Sequence, residues 1–275
     1  GRDRMNFAFE PELLLLRDTV RRFVQEELMP LEARYANEPD IPDELRRRLQ
    51  GRAKELGLWA FDLPEAYGGG GVGHVGMCLV FEELAQCNVP SFRAQTVLTP
   101  YLGPVLFHCT PQQKEKYLYP VVRGEQRTCF ALTEPGAGSD PSGMRTRAVR
   151  EGERYRINGR KIFITSADKA DFVQLFARTI EDGQDVGVSC FLIDKGTPGF
   201  SLGQSFELMS PDRPWELVFD DVVVDADEHE RFEVDRHACT VRHSAFSCTE
   251  PAGPRSVPPS RGGGRRGGIG GGGVA

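Results

Sequence analysis

The chain has 275 residues, 39% hydrophobic and 27% charged, with a formal net charge of −6. That length allows one large domain or two modest ones, and the acidic balance argues against a nucleic-acid binder. No apolar run approaches the ~20 residues of a membrane span, and the start, GRDRMNFAFEPE, lacks the apolar core of a secretory signal.

Seven cysteines lie at 78, 87, 109, 129, 190, 239 and 248, with no CxxC among them. An odd, scattered set fits reduced thiols in a cytoplasmic protein. Only 6 of the 34 basic residues are lysine, a bias that points to a GC-rich bacterial genome.

Residues 11–36 read as the first helix. Pro11 suits a first helical position. Leu13, Leu16, Val20, Phe23, Val24 and Leu28 recur at helical spacing. A second helix starts after Pro42, carries Leu45, Leu49, Ala53 and Leu56, and stops at Gly57. Gly68 to Gly71 read as a loop between helices. The Lys and Ser/Thr of a phosphate-binding P-loop are absent there. Helical spacing resumes through HVGMCLVFEELAQC. Residues 96–107 are apolar and read as a buried helix. Thr110, Pro111 and Gln113 then form a capping-box start.

After Gly124 the period changes. RTCFAL, DFVQLFAR, VSCFLID and WELVFDDVVV read as strands. In YRINGRKIFIT, Asn158-Gly159 is the signal of a two-residue hairpin. Helices first and strands after make an α+β arrangement. The expected architecture is an N-terminal helical bundle (1–122), a small antiparallel β-barrel (123–228) and a divergent tail (229–275). The tail is rich in Gly, Arg and Pro, with nine glycines in its last fifteen residues. Such a segment cannot bury enough apolar surface to fold, so it reads as disordered. His237, Cys239, His243 and Cys248 match no common zinc spacing, and no metal site is expected. RGGGRRGG reads first as a solvated tail and only second as an RNA-binding one.

The segment CFALTEPGAGSD, 129–140, starts as a strand and ends as a loop. Alone, its last half would be a surface turn. Paired with INGRKIFIT at 157–165, it closely resembles the acyl-CoA dehydrogenase family of flavoenzymes. LPEAYGGGGVG, TPQQKEKYLYPVVRGE, TPGF and FDDVVV extend the resemblance over roughly residues 8–224. The resemblance implies a helical N-terminal domain, a middle β-domain and a C-terminal helical domain. It implies FAD as cofactor, an acyl-CoA substrate, a homo-oligomer, and an electron-transfer flavoprotein or similar acceptor. The implied chemistry is α,β-dehydrogenation, with a glutamate taking the α-proton and hydride passing to the flavin.

Residue by residue, the resemblance places Phe130, Leu132 and Thr133 against the flavin ring. Gly138 and Ser139 would approach the pyrophosphate, and Ser139 would also touch the acyl-CoA. Phe163, Ile164 and Thr165 would form the second ring contact. Phe163 stands where many members carry tryptophan. The family's glutamate base lies beyond the matched region, so no catalytic residue is assigned. The expectation is a chain lacking the C-terminal domain and impaired in turnover. The alternatives are a non-catalytic scaffold with an RGG-like tail, and a flavin-dependent oxidase or reductase.

Overall fold

A computed structural model describes residues 8–89, 96–226 and 229–231. Helix α1 (Pro11–Phe23) opens on Pro11, with Glu12 in its first turn and Arg21 and Arg22 in its last. These charges complement the helix dipole. The helix loosens into a π-helical turn at Val24–Leu28 and a 3₁₀ turn at Met29–Leu31, then resumes as α2 (Glu32–Tyr35). Pro30 lies in the loosened stretch and has no N–H to donate. Helix α3 (Asp43–Glu55) follows Pro42, and the chain leaves it through Gly57 at φ 69°. Helix α4 is His74–Leu84.

Val20, Phe23 and Leu28, with Leu49 and Ala53 of α3 and Val80 and Leu84 of α4, form one buried core. Each large apolar side chain there contributes roughly 1.5–3 kcal/mol. Arg21 fastens α1 to α4 by donating to both carboxylate oxygens of the buried Glu83, at 3.0 and 2.6 Å.

The four-glycine loop turns its amides inward. The N–H groups of Gly69, Gly70 and Gly71 donate to the carbonyls of Pro64, Ala60 and Leu63. A Cβ on Gly69 would fall 2.1 Å from the Leu63 carbonyl oxygen, so only glycine fits. These donors already have acceptors, as a helix-linking loop requires.

The long helix expected over 96–107 does not form. Residues 96–98 are helical, and a 3₁₀ turn spans Pro104–His108. Pro100, Gly103 and Pro104 break the chain between them, although Val97, Leu98, Val105 and Leu106 are buried. The capping box does form. Gln113 N–H donates to Thr110 Oγ1 at 3.2 Å, and Thr110 N–H donates to Gln113 Oε1 at 2.9 Å. Helix α5 (Pro111–Gln113) then runs through a π-helical turn, Lys114–Leu118, into α6 (Tyr119–Val122).

Eight strands follow: β1 (Thr128–Ala131), β2 (Arg147–Glu151), β3 (Arg154–Ile164), β4 (Phe172–Glu181), β5 (Gln184–Asp194), β6 (Phe200–Ser205), β7 (Trp215–Asp225) and β8 (His229–Arg231). They form one sheet in the order β6-β7-β3-β2-β4-β5-β8, with β1 pairing β4 off that path. Among the described residues the sheet is open, because β6 and β8 do not pair, so the expected barrel is corrected. It is also mixed rather than antiparallel, since β1 and β2 both run parallel to β4. Strand β8, the described part of the expected tail, pairs β5. The rest of the tail, with the zinc and RGG readings, lies outside the described residues.

The Asn158-Gly159 hairpin is also corrected. Strand β3 passes straight through it, and the pairing with β7 shifts register between Ile157 and Gly159. Asn158 Nδ2 donates to Asp221 Oδ1, and Asp221 N–H donates back to Asn158 Oδ1, at 3.0 and 2.9 Å. The pair makes a bulge, in which one extra residue is accommodated without reversing the strand. Gly159 is needed for packing, since a Cβ there would lie 2.4–2.6 Å from the Thr146 side chain. Two-residue hairpin turns lie instead at Gly152-Glu153, between β2 and β3, and at Asp182-Gly183, between β4 and β5.

The helices and the sheet share a third cluster, in which Tyr117, Leu118 and Val122 meet Phe172 of β4 and Leu192 of β5. The Tyr117 and Phe172 rings are 4.6 Å apart. Replacing Gly159 by Ala should lower the unfolding free energy by about 1–3 kcal/mol through overpacking. Urea denaturation of the two proteins measures it, and equal midpoints would refute the close packing of Gly159 on Thr146.

Candidate functional site

Strand β1 ends at Ala131 and releases the loop that carries Glu134. This carboxylate is buried and collects three donors. Lys161 Nζ donates to it at 2.8 Å, Arg145 N–H at 2.7 Å and Thr146 N–H at 3.0 Å. Lys161, on β3, is fully buried and also donates to the Leu132 carbonyl at 3.0 Å. Ile162 N–H donates to the Thr133 carbonyl at 2.9 Å. The two segments singled out in the sequence are thereby stitched together.

Burial pulls the Lys161 ammonium down to about 8, against the opposing pull of Glu134. Burial alone would raise the Glu134 carboxyl. The bonds from Lys161 and from the Arg145 and Thr146 amides outweigh it and hold the group below its ordinary value. At neutral pH Glu134 is ionised and fully engaged.

Beyond Lys161 the register with β7 shifts again, and Phe163 takes φ 57°. That conformation is an outlier for a bulky side chain and costs on the order of 1–3 kcal/mol. The turn throws Phe163 outward, where 51% of it is exposed, and drops Ile164 into the core. The Phe163 ring rests on Phe206, centroids 4.6 Å apart. On β1, the Phe130 ring packs on Phe176 at 4.6 Å.

Phe130, Phe163 and Thr165 line one cavity of about 260 Å³. Segment 96–101 contributes Thr96, Pro100 and Tyr101 to it. Arg46 and Gln50 of α3, and Gln126 and Arg127 just before β1, add polar lining. The other residues singled out in the sequence lie elsewhere. Leu132 packs beside Phe130 against a buried cluster that includes Met144 and Phe176. Thr133 is half-buried, and its carbonyl is taken by Ile162. Gly138 and Ser139 sit on the exposed shoulder of the loop, and an added Cβ at Gly136 or Gly138 would meet nothing within 4 Å. Ile164 belongs to the sheet core, 3% exposed.

The sequence reading missed the Glu134–Lys161 pair and the arginines of the cavity. A signal for the first was present. Tyr155, Ile157, Gly159 and Lys161 share strand parity, so a lysine falls on the buried face of β3. The arginines had no such signal, because α3 and β1 meet only in the folded chain.

Residues 10–125 match the acyl-CoA dehydrogenase N-terminal domain, and residues 129–222 match the acyl-CoA dehydrogenase middle domain. The short-chain specific acyl-CoA dehydrogenase of Rattus norvegicus mitochondria is 35% identical over 191 residues, 69% of this chain and 45% of that protein. A subunit of the caffeyl-CoA reductase–Etf complex of Acetobacterium woodii is 33% identical over 198 residues, covering 72% and 52%. The crystal structure of a glutaryl-CoA dehydrogenase from Mycobacterium smegmatis in complex with FADH2 superposes with a TM-score of 0.67 at 30% identity, covering 80% of this chain and 55% of the other. The chain belongs to the acyl-CoA dehydrogenase family. It spans about half the length of these relatives. No helix among the described residues is long and apolar enough to cross a membrane.

Removing Lys161 leaves Glu134 buried and uncompensated. Lys161→Met should therefore cost about 3–5 kcal/mol, measured by urea unfolding at neutral pH. The acid limb has a definite sign. Glu134 has a folded value below its unfolded one of about 4.5, so its contribution is present above that pH and lost as pH falls through the folded value. Glu134→Gln should flatten this part of the stability curve, and an unchanged acid limb would count against the pair.

Proposed function

We propose that this chain forms the flavin-contacting part of an FAD-dependent acyl-CoA dehydrogenase. The observation that carries the reading is the meeting of Phe130, Phe163 and Thr165 in one cavity, held by the Glu134–Lys161 pair. The residues present suit FAD. Two half-exposed aromatic rings offer apolar faces to a planar ring system, and the Thr165 hydroxyl offers a hydrogen bond to its polar edge. The exposed loop at Gly138 and Ser139 leaves room for close approach of a pyrophosphate. Thr133 and Leu132 support this wall from behind the Phe130 side, and Ile164 anchors the other.

When bound, FAD supplies a hydride acceptor for dehydrogenation of the thioester. The chain's own part is to bind, orient and keep water from the aromatic wall. Ser139 is also a contact for the acyl-CoA. Glu134 is not the base. A base must reach the proton it removes, and this carboxylate is turned inward onto three donors. The electrons would pass to an electron-transfer flavoprotein. The likeness to a caffeyl-CoA reductase complex supports a second reading, in which the same site runs as a reductase.

The purified protein should take up FAD, with flavin absorbance and quenched flavin fluorescence. Phe163→Ala and Phe130→Ala should each weaken FAD binding by about tenfold, the size of one lost aromatic contact. A colourless protein that ignores FAD would refute the proposal.

A further inference from the structure

The cavity mixes apolar and basic lining. Phe130 and Phe163 share it with Arg46 and Arg127. Arg127 precedes Phe130 by three residues, so extended backbone puts their Cα atoms about 10 Å apart. Arg127 is fixed at its backbone, where its N–H donates to Asp171 Oδ2 at 2.7 Å and its carbonyl accepts from Asp171 N–H at 2.8 Å.

The guanidinium groups are unequally satisfied. Arg46, 9% exposed, donates to Asp43 Oδ1 at 3.1 Å and to Gln50 Oε1 at 3.5 Å. Arg127 shares the same Asp43 oxygen, at a loose 3.5 Å. No other protein partner engages the Arg127 guanidinium among the described residues. Burial, and then the neighbouring Arg46, push its pKa below the ordinary arginine value. Asp40 also lines the cavity, and its Oδ1 already accepts from Ile41 N–H at 2.9 Å. The two guanidinium groups make this lining rich in N–H donors. A methyl-ended acyl chain reaching it would strip water from Arg127 and return no acceptor.

We propose that this cavity selects acyl chains that carry a hydrogen-bond-accepting oxygen at the far end, with Arg127 as the donor. The inference rests on the acyl-CoA reading above and adds the substrate class. A carboxylate would meet the planar guanidinium fork by two parallel bonds. A hydroxyl or keto oxygen would meet it by one.

The test is calorimetric binding of hexanoyl-CoA, 6-hydroxyhexanoyl-CoA and hexanedioyl-CoA to the full chain, with and without FAD. The oxygenated thioesters should bind at least about tenfold tighter than hexanoyl-CoA. A preference for the hexanedioyl form alone identifies a carboxylate, and a preference for both identifies any acceptor oxygen. In Arg127→Met the affinity ratio should collapse to about one. In Arg127→Lys, which keeps the charge without the fork, part of the hexanedioyl preference should return. Melting curves confirm that each variant is folded, and Arg127→Lys carries the test if Arg127→Met is not. Equal or tighter binding of hexanoyl-CoA overturns the inference and leaves the acyl-CoA reading standing, as does a preference that survives loss of Arg127. Failure of all three thioesters to bind overturns both.

Discussion

A single buried ion pair organises the site. Lys161 and Glu134 lie 27 residues apart in sequence and 2.8 Å apart in space. Neither belongs comfortably in an apolar core, and each is acceptable there because the other is present. The pair does more than compensate charge. Lys161 also holds the Leu132 carbonyl, and Glu134 holds the backbone at Arg145 and Thr146. The end of β1, the loop after it, the entry to β2 and the late part of β3 are tied at one point.

The aromatic wall is a consequence of that point. With Lys161 anchored inward, the chain must still deliver Ile164 to the core before β3 ends. Phe163 absorbs the mismatch by adopting positive φ, and its ring is expelled to the surface. Strain of this kind survives only where the surroundings over-determine it. Here the restraints are the ion pair on one side and Ile164 on the other. Phe130 reaches the same cavity by ordinary strand geometry, at a position where β1 runs parallel to β4.

Local chemistry decides which parts were readable from sequence. Helix ends were legible because their signals are contained in a few neighbouring residues: Pro11, Gly57 and the Thr110–Gln113 box act where they stand. The Asn158-Gly159 step failed as a hairpin because Asp221, 62 residues past Gly159, claims the asparagine side chain and turns the step into a bulge. Residues 96–107 failed as a helix because apolarity gives burial without period, and two prolines cut the run. The sheet's openness and its parallel pairs are decided by contacts between distant strands, which no local pattern encodes. In the site, the two motif segments were legible as a pair. The arginines of the cavity were not, since Arg46 and Arg127 come from elements with no pattern in common.

The cluster around Tyr117 and Phe172 has its own consequence. The change from helical to alternating period near Gly124 looks like a seam between two independent units. Yet Leu118 and Val122 on one side of it share one buried cluster with Phe172 and Leu192 on the other. Cutting the chain at that seam would give two fragments with wet apolar faces. The point where the pattern changes is thus among the worst places to divide the molecule, because periodicity marks where backbone geometry switches and not where cohesion ends.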